Sequence, residues 1–87
     1  MRPMETPLDT DADTDVDARG LYCPIPVLRL AKAFRGRPAG FTARLLATDP
    51  VSVEDVGVFC RERGHELLES KETAGLFSFL VRKASPA

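Results

Sequence analysis

Residues 23–26 read Cys-Pro-Ile-Pro, one thiol followed by two alternating prolines at the mouth of an amphipathic segment. Proline fixes φ near the helical value and is tolerated in a helix's first turn, where backbone N–H groups have no intrahelical partner. This places Cys23 at the N-cap, its sulfur close to the positive end of the helix dipole, where the nucleophilic thiolate is favoured. Arg19, Arg29 and Lys32 lower its pKa further if they face the sulfur. Because Pro24 and Pro26 carry no N–H, the Ile25 amide is the obvious donor to the sulfur. This arrangement suits an exposed, rigidly mounted nucleophile that accepts sulfur and hands it on. The competing reading is a buried, inert cysteine that happens to precede a proline.

The other chemistry-bearing residues give weaker signals. Cys60 falls on the inner face of an expected helix and reads as a small buried hydrophobe. It is a resolving partner for Cys23 only if the fold brings the two together. There is no Cys-x-x-Cys, which argues against a thioredoxin-like site. His65, the single histidine, either tunes Cys23 or sits at a strand edge. Cys23, Cys60 and His65 have no recognised ligand spacing, so no metal is expected. Arg19, Arg29, Lys32, Arg35, Arg37 and Arg44 gather in the first half of the domain. They form either a solvated face or a docking surface that steers acidic partner proteins toward Cys23. Aromatic residues do not interleave with them, which argues against direct nucleic-acid binding.

The elements that must position these residues follow from periodicity and breakers. Thr14, Val16 and Ala18 share one face of a short strand candidate, closed by an Arg19-Gly20 turn. From residue 24 to about 35, Val27, Leu30, Ala31 and Phe34 fall on one helical face, with Ile25 and Leu28 widening it. Residues 36–40 form a loop, and residues 41–48 alternate as a strand with Phe41, Ala43, Leu45 and Ala47 inward. After Asp49-Pro50, a second helix is expected with Ser52 as N-cap and Asp55 completing a variant capping box. Val53, Val56, Phe59 and Cys60 mark its inner face, and Gly64 stops it. Two strands follow over 65–72 and 76–82, joined by a tight turn at Thr73-Ala74-Gly75. Phe77, Phe79 and Val81 point inward from the last strand, while Leu46, Leu76 and Leu80 fall on the open face. The order is β-α-β-α-β-β, which predicts an α+β, two-layer α/β sandwich: a four-stranded mixed sheet with two helices on one face.

Composition sets the frame. With 87 residues and 44% apolar, the chain makes one small domain close to the lower limit for a self-sufficient core. The net charge of −1 hides an asymmetry: residues 1–17 hold six acids and one base, whereas the rest holds seven acids and eleven bases. Residues 1–13 read as a disordered acidic leader, either inert or folded back on the basic surface until a partner displaces it. Residues 14–83 form the domain, and residues 84–87 are expected to fray. No stretch approaches the ~20 apolar residues that span a bilayer, and no apolar N-terminal signal is present. Two cysteines are too few for a disulfide framework, so a reducing cytoplasm is expected, with at least one thiol free.

The run VDARGLYCPIPVLRLAKAF, then ATDPVSVEDV, FCRERGHELLES and the closing FLVRK, in this order, resembles the TusA/SirA-like sulfur-carrier family over residues 16–83. The resemblance implies that Cys23 carries a persulfide and that Pro24, Ile25 and Pro26 support it, with no cofactor. It further implies a sulfur-donor protein such as a cysteine desulfurase and an acceptor such as a DsrE-type relay. The implied pathway is tRNA thiolation or another sulfur-trafficking route. Such a protein is a sulfurtransferase in the relay sense, closer to a reusable carrier than to a self-contained enzyme. A monomer is expected, because the thiol must be presented to several partners. Arg19, Arg29, Lys32 and Arg35 are the expected docking residues. A regulatory or protein-binding module on the same fold, with Cys23 structural or redox-sensing, is the alternative. The acidic leader is the part that the resemblance does not explain.

Overall fold

The computed structural model describes residues 12–84. The expected leader lies outside the described residues up to position 11, and so does the tail from position 85. The elements are β1 (Thr14–Ala18), α1 (Ile25–Phe34), β2 (Thr42–Ala47), α2 (Ser52–Arg63), β3 (Glu66–Thr73) and β4 (Leu76–Arg82). In space the strands run β1-β2-β4-β3, with β1 parallel to β2 and β4 antiparallel to both its neighbours. Each β-α-β unit thus joins two parallel strands, and crossovers of one hand carry both helices to the same side of the sheet. There α1 packs on β1 and β2, α2 packs on β3 and β4, and the helices touch each other. The expected mixed sheet and two-layer arrangement are both present.

Alternation along the strands decides what the layers bury. Val16, Ala18, Ala43, Leu45, Ala47, Phe79 and Val81 meet Leu30, Phe34, Val56, Phe59 and Cys60 in one core. The small Ala43 and Ala47 on β2 leave room for the larger helix side chains to interdigitate. On the far face, Leu80 is only 3% exposed although no element covers it. Arg44 on β2 donates to Glu69 on β3 at 3.2 Å, and both are register partners of Leu80, so the ion pair spans over it. Arg44 also donates to Ser78 Oγ at 2.8 Å, so its guanidinium is committed to the sheet.

Two readings of helical faces need correction. Ile25 and Leu28 do not widen the buried stripe of α1: Leu28 is 56% exposed, and Pro26, Leu30 and Phe34 are the buried row. Val53 is exposed on α2, where Ser52, Val56, Phe59 and Cys60 form the buried face. Ser52 takes the inward slot because its hydroxyl donates to Asp49 O at 2.6 Å, which satisfies the one polar group that burial would otherwise penalise. The N-cap is accordingly Val51 rather than Ser52, and Asp55 turns toward α1 instead of closing a capping box.

Left-handed residues at two places in the chain shape the rest. Gly64 ends α2 at φ 77°, and the β3–β4 hairpin turns through Ala74 (φ 50°) and Gly75 (φ 85°) in two residues. Positive φ at both central positions is what the twist of a tight hairpin demands.

Candidate functional site

Cys23 sits where the loop after β1 enters α1. The Cys23–Pro24 peptide is cis, and the Ile25 N–H closes the turn by donating to Tyr22 O at 2.9 Å. Two sequence expectations change here. Pro24, not Cys23, is the N-cap, with Ile25 and Pro26 the first two helical residues. The Ile25 amide serves the Tyr22 carbonyl and not the sulfur, because the turn consumes it. Val27 carries the remaining amide of the first turn.

The turn after β2 holds this loop in place. Thr48 Oγ1 accepts the Gly20 N–H at 2.9 Å, and Asp49 Oδ2 accepts the Cys23 N–H at 2.9 Å. The other Asp49 oxygen accepts the Val51 N–H at 3.1 Å, and its carbonyl receives the Ser52 N–H at 2.9 Å. One aspartate therefore ties the cysteine's backbone to the start of α2. From the first turn of that helix Asp55 reaches back, and the Cys23 thiol donates to its Oδ2. Sequence reasoning missed both carboxylates as site residues. The Asp-Pro pair was visible as a strand breaker, but its partner lies 26 residues away.

The expected cations are elsewhere. Arg19 makes a two-point ion pair with Asp17, at 2.9 and 2.8 Å, which holds the Asp17 carboxyl at about 2. Arg29 and Lys32 line a groove with β1 residues Thr14 to Asp17, so they face the sheet edge. Lys32 also belongs, with Arg35, Arg63 and Lys83, to the rim of an open cleft of about 690 Å³ over Phe34 and Phe59. That cleft lies at the C-terminal ends of the helices, away from the thiol. His65 is there too: its Nδ1 accepts the Ala84 N–H at 2.8 Å, and its ring stands 4.9 Å from Phe34 and 5.1 Å from Phe59. It does not tune Cys23.

Solvent reaches the two cysteines unequally. Cys23 is half-buried and free, whereas Cys60 is 4% exposed, and burial pushes its thiol up. Exposed apolar side chains accompany the two carboxylates: Tyr22 (76% exposed) and Ile25 flank the Cys23–Pro24 pair along the chain, and Val51 projects from the start of α2. Among the described residues no cluster of His, Cys, Asp and Glu suited to a metal ion occurs. No described helix is long and apolar enough to cross a membrane.

A two-layer sandwich that presents one accessible thiol beside two helix N-termini defines a class of small thiol-bearing α/β proteins. Its backbone matches the crystal structure of a SirA-like protein from Desulfitobacterium hafniense, with a TM-score of 0.71, 27% identity, and 83% of this chain and 99% of that one covered. Among curated relatives, the sulfur carrier protein TusA of Allochromatium vinosum is 45% identical over 69 residues, covering 79% of this chain and 91% of its own. The sulfur carrier protein TusA of Pseudomonas fluorescens is 39% identical over 83 residues, 95% of each chain. Residues 14–83 match the family described as sulfurtransferase TusA, and the chain belongs to that family.

Proposed function

We propose that this protein is a cytoplasmic sulfur carrier that takes up sulfane sulfur as a persulfide on Cys23 and passes it to a cysteine of a partner protein. Family membership supports the carrier role. The observation that carries the choice of residue is the contrast between the reachable Cys23 and the buried Cys60. Transfer needs an unobstructed cysteine on a fixed mount, and the turn bonded to Asp49 supplies the mount. It needs no adjacent general base, because a cysteine sulfur is intrinsically nucleophilic and a persulfide is already acidic.

Pro24, Ile25 and Pro26 support the thiol by fixing the helix start. The exposed apolar side chains of Tyr22, Ile25 and Val51 suit docking of a protein surface, which would cover both them and the thiol. Arg19, Arg29, Lys32 and Arg35 are exposed and contribute at longer range, by steering encounter with acidic donors and acceptors. The donor is a cysteine desulfurase or an equivalent persulfide-bearing protein, and the acceptor is a DsrE-type or similar relay protein.

Incubation with a cysteine desulfurase and cysteine, followed by intact-protein mass spectrometry, tests this. Wild type should gain the mass of one sulfur, reversed by reductant, and Cys23→Ser should gain none while remaining folded. Sulfur that appears on Cys60 would sink the assignment, and unfolding of Cys23→Ser would favour a structural cysteine.

A further inference from the structure

Asp55 lies 32 residues along the chain from Cys23, yet its Oδ2 accepts the thiol in a part-buried contact. The second carboxylate facing this residue, Asp49, accepts the Cys23 N–H. Among the described residues neither aspartate makes an ion pair, so no cation offsets their charge at short range. The nearest formal charges to the sulfur are therefore carboxylates, set against the positive ends of two helices, and not the side-chain cations that activate many reactive thiolates.

This environment discriminates between two states of the same cysteine. An unloaded thiol is neutral near pH 7 and is a donor, so it satisfies a carboxylate. A persulfide is more acidic than its parent thiol, and its ionised form has no proton to give. Its negative charge, centred on the outer sulfur, is also brought close to the carboxyl group that the inner sulfur touches, where partial exclusion of water strengthens repulsion between anions. Resting on the assignment of Cys23 as the carrier residue, we infer that Asp55 sets the carrier's hold on its cargo: it stabilises the empty thiol, destabilises the loaded persulfide anion and so tips the protein toward release.

The transfer balances without any added oxidant. An acceptor thiol's sulfur attacks the outer sulfur of Cys23–S–S⁻, and a new S–S bond forms on the acceptor as the carrier's S–S bond breaks. The acceptor's proton ends on Cys23, whose S–H returns to Asp55 Oδ2. The sulfane sulfur moves with its oxidation state unchanged, and one proton and one negative charge are present on each side. Asp55 accepts the S–H of the emptied cysteine once its proton has returned, so its contribution is to the stability of the unloaded product and not to the departure of the thiolate.

The test is an equilibrium. The protein is brought to equilibrium at neutral pH with a fixed mixture of glutathione persulfide and glutathione. The loaded-to-unloaded ratio at Cys23 is then read by peptide-level mass spectrometry. Asp55→Asn keeps an oxygen to accept the S–H but loses the charge, and its ratio should rise by at least about tenfold. Asp55→Glu keeps the charge and should stay close to wild type. An unchanged ratio in Asp55→Asn, or equal shifts in both variants, overturns the role of Asp55 while leaving Cys23 as the carrier. Failure of the wild type to load at Cys23 overturns the carrier reading along with it.

Discussion

Asp49 accepts the Cys23 amide on one carboxylate oxygen and the Val51 amide on the other. Neither amide belongs to a regular element, so without this side chain both would need water or a new partner. Charge-assisted bonds of this kind contribute more than neutral ones. Asp49→Ala should therefore lower stability by about 2–3 kcal/mol, since the residue is half-buried and serves two amides. Asp49→Asn keeps one carbonyl oxygen and should lose roughly half as much. Chemical denaturation of both variants measures this, and equal losses would show that the charge, not the pair of acceptors, matters. The loss should also loosen the loop that presents the thiol. Cys23→Ser would leave the Asp49 bonds intact, which is why it is the cleaner variant for testing sulfur loading.

The two helices show why some parts of this fold are legible in a sequence and others are not. Their existence and limits are legible because periodic apolar residues stand between Gly and Pro breakers, and every element appears within a residue or two of its expected place. Facing is less legible where apolar residues surround a helix start. Val53 looks like core by type, but the buried row begins one residue earlier at Ser52, whose hydroxyl has a backbone acceptor waiting in the preceding turn. Cys23 itself is visible from its prolines, whereas Asp55 is not, because the contact joins the loop before α1 to the first turn of α2, and no local pattern encodes their relative placement. The end of α2 is the opposite case. Gly64 was readable as a stop, and it adopts φ 77°, a conformation side chains resist even though an added Cβ would meet only Ala84 at 3.9 Å. Gly64→Ala should cost about 1 kcal/mol through backbone strain alone. The cost should appear as a lower urea midpoint with an unchanged slope, and a change in slope would point to a different unfolded or native compactness.

At the scale of the whole molecule, the helix layer has two unlike ends. The N-terminal ends meet at Cys23 among carboxylates, and the C-terminal ends gather Lys32, Arg35 and Arg63 with Lys83 nearby. Cations at helix C-termini complement the dipoles. They also make this end hostile to any further positive charge. His65 lies there, between Phe34 and Phe59, with Nδ1 accepting the Ala84 N–H, so the neutral ring carries its proton on Nε2. Burial, then Lys83 and Arg63, hold its pKa below the ordinary 6.5. Protonation would remove the acceptor and place a charge among apolar rings and cations. In the unfolded chain the same histidine protonates at its ordinary value, so as pH falls below 6.5 the unfolded state binds more protons than the folded one. The contribution of His65 to stability is thus whole above pH 6.5 and is lost as pH falls through the lower folded value. His65→Leu should be less stable than wild type at neutral pH, because the Ala84 amide loses its acceptor, but it lacks this titration. The stability gap between the two proteins should therefore narrow as pH drops from 7 toward 5, a window chosen to cross the histidine range before most carboxylates titrate. Urea denaturation of both across that window measures the gap, and a gap independent of pH would mean that the folded ring titrates no differently from the unfolded one.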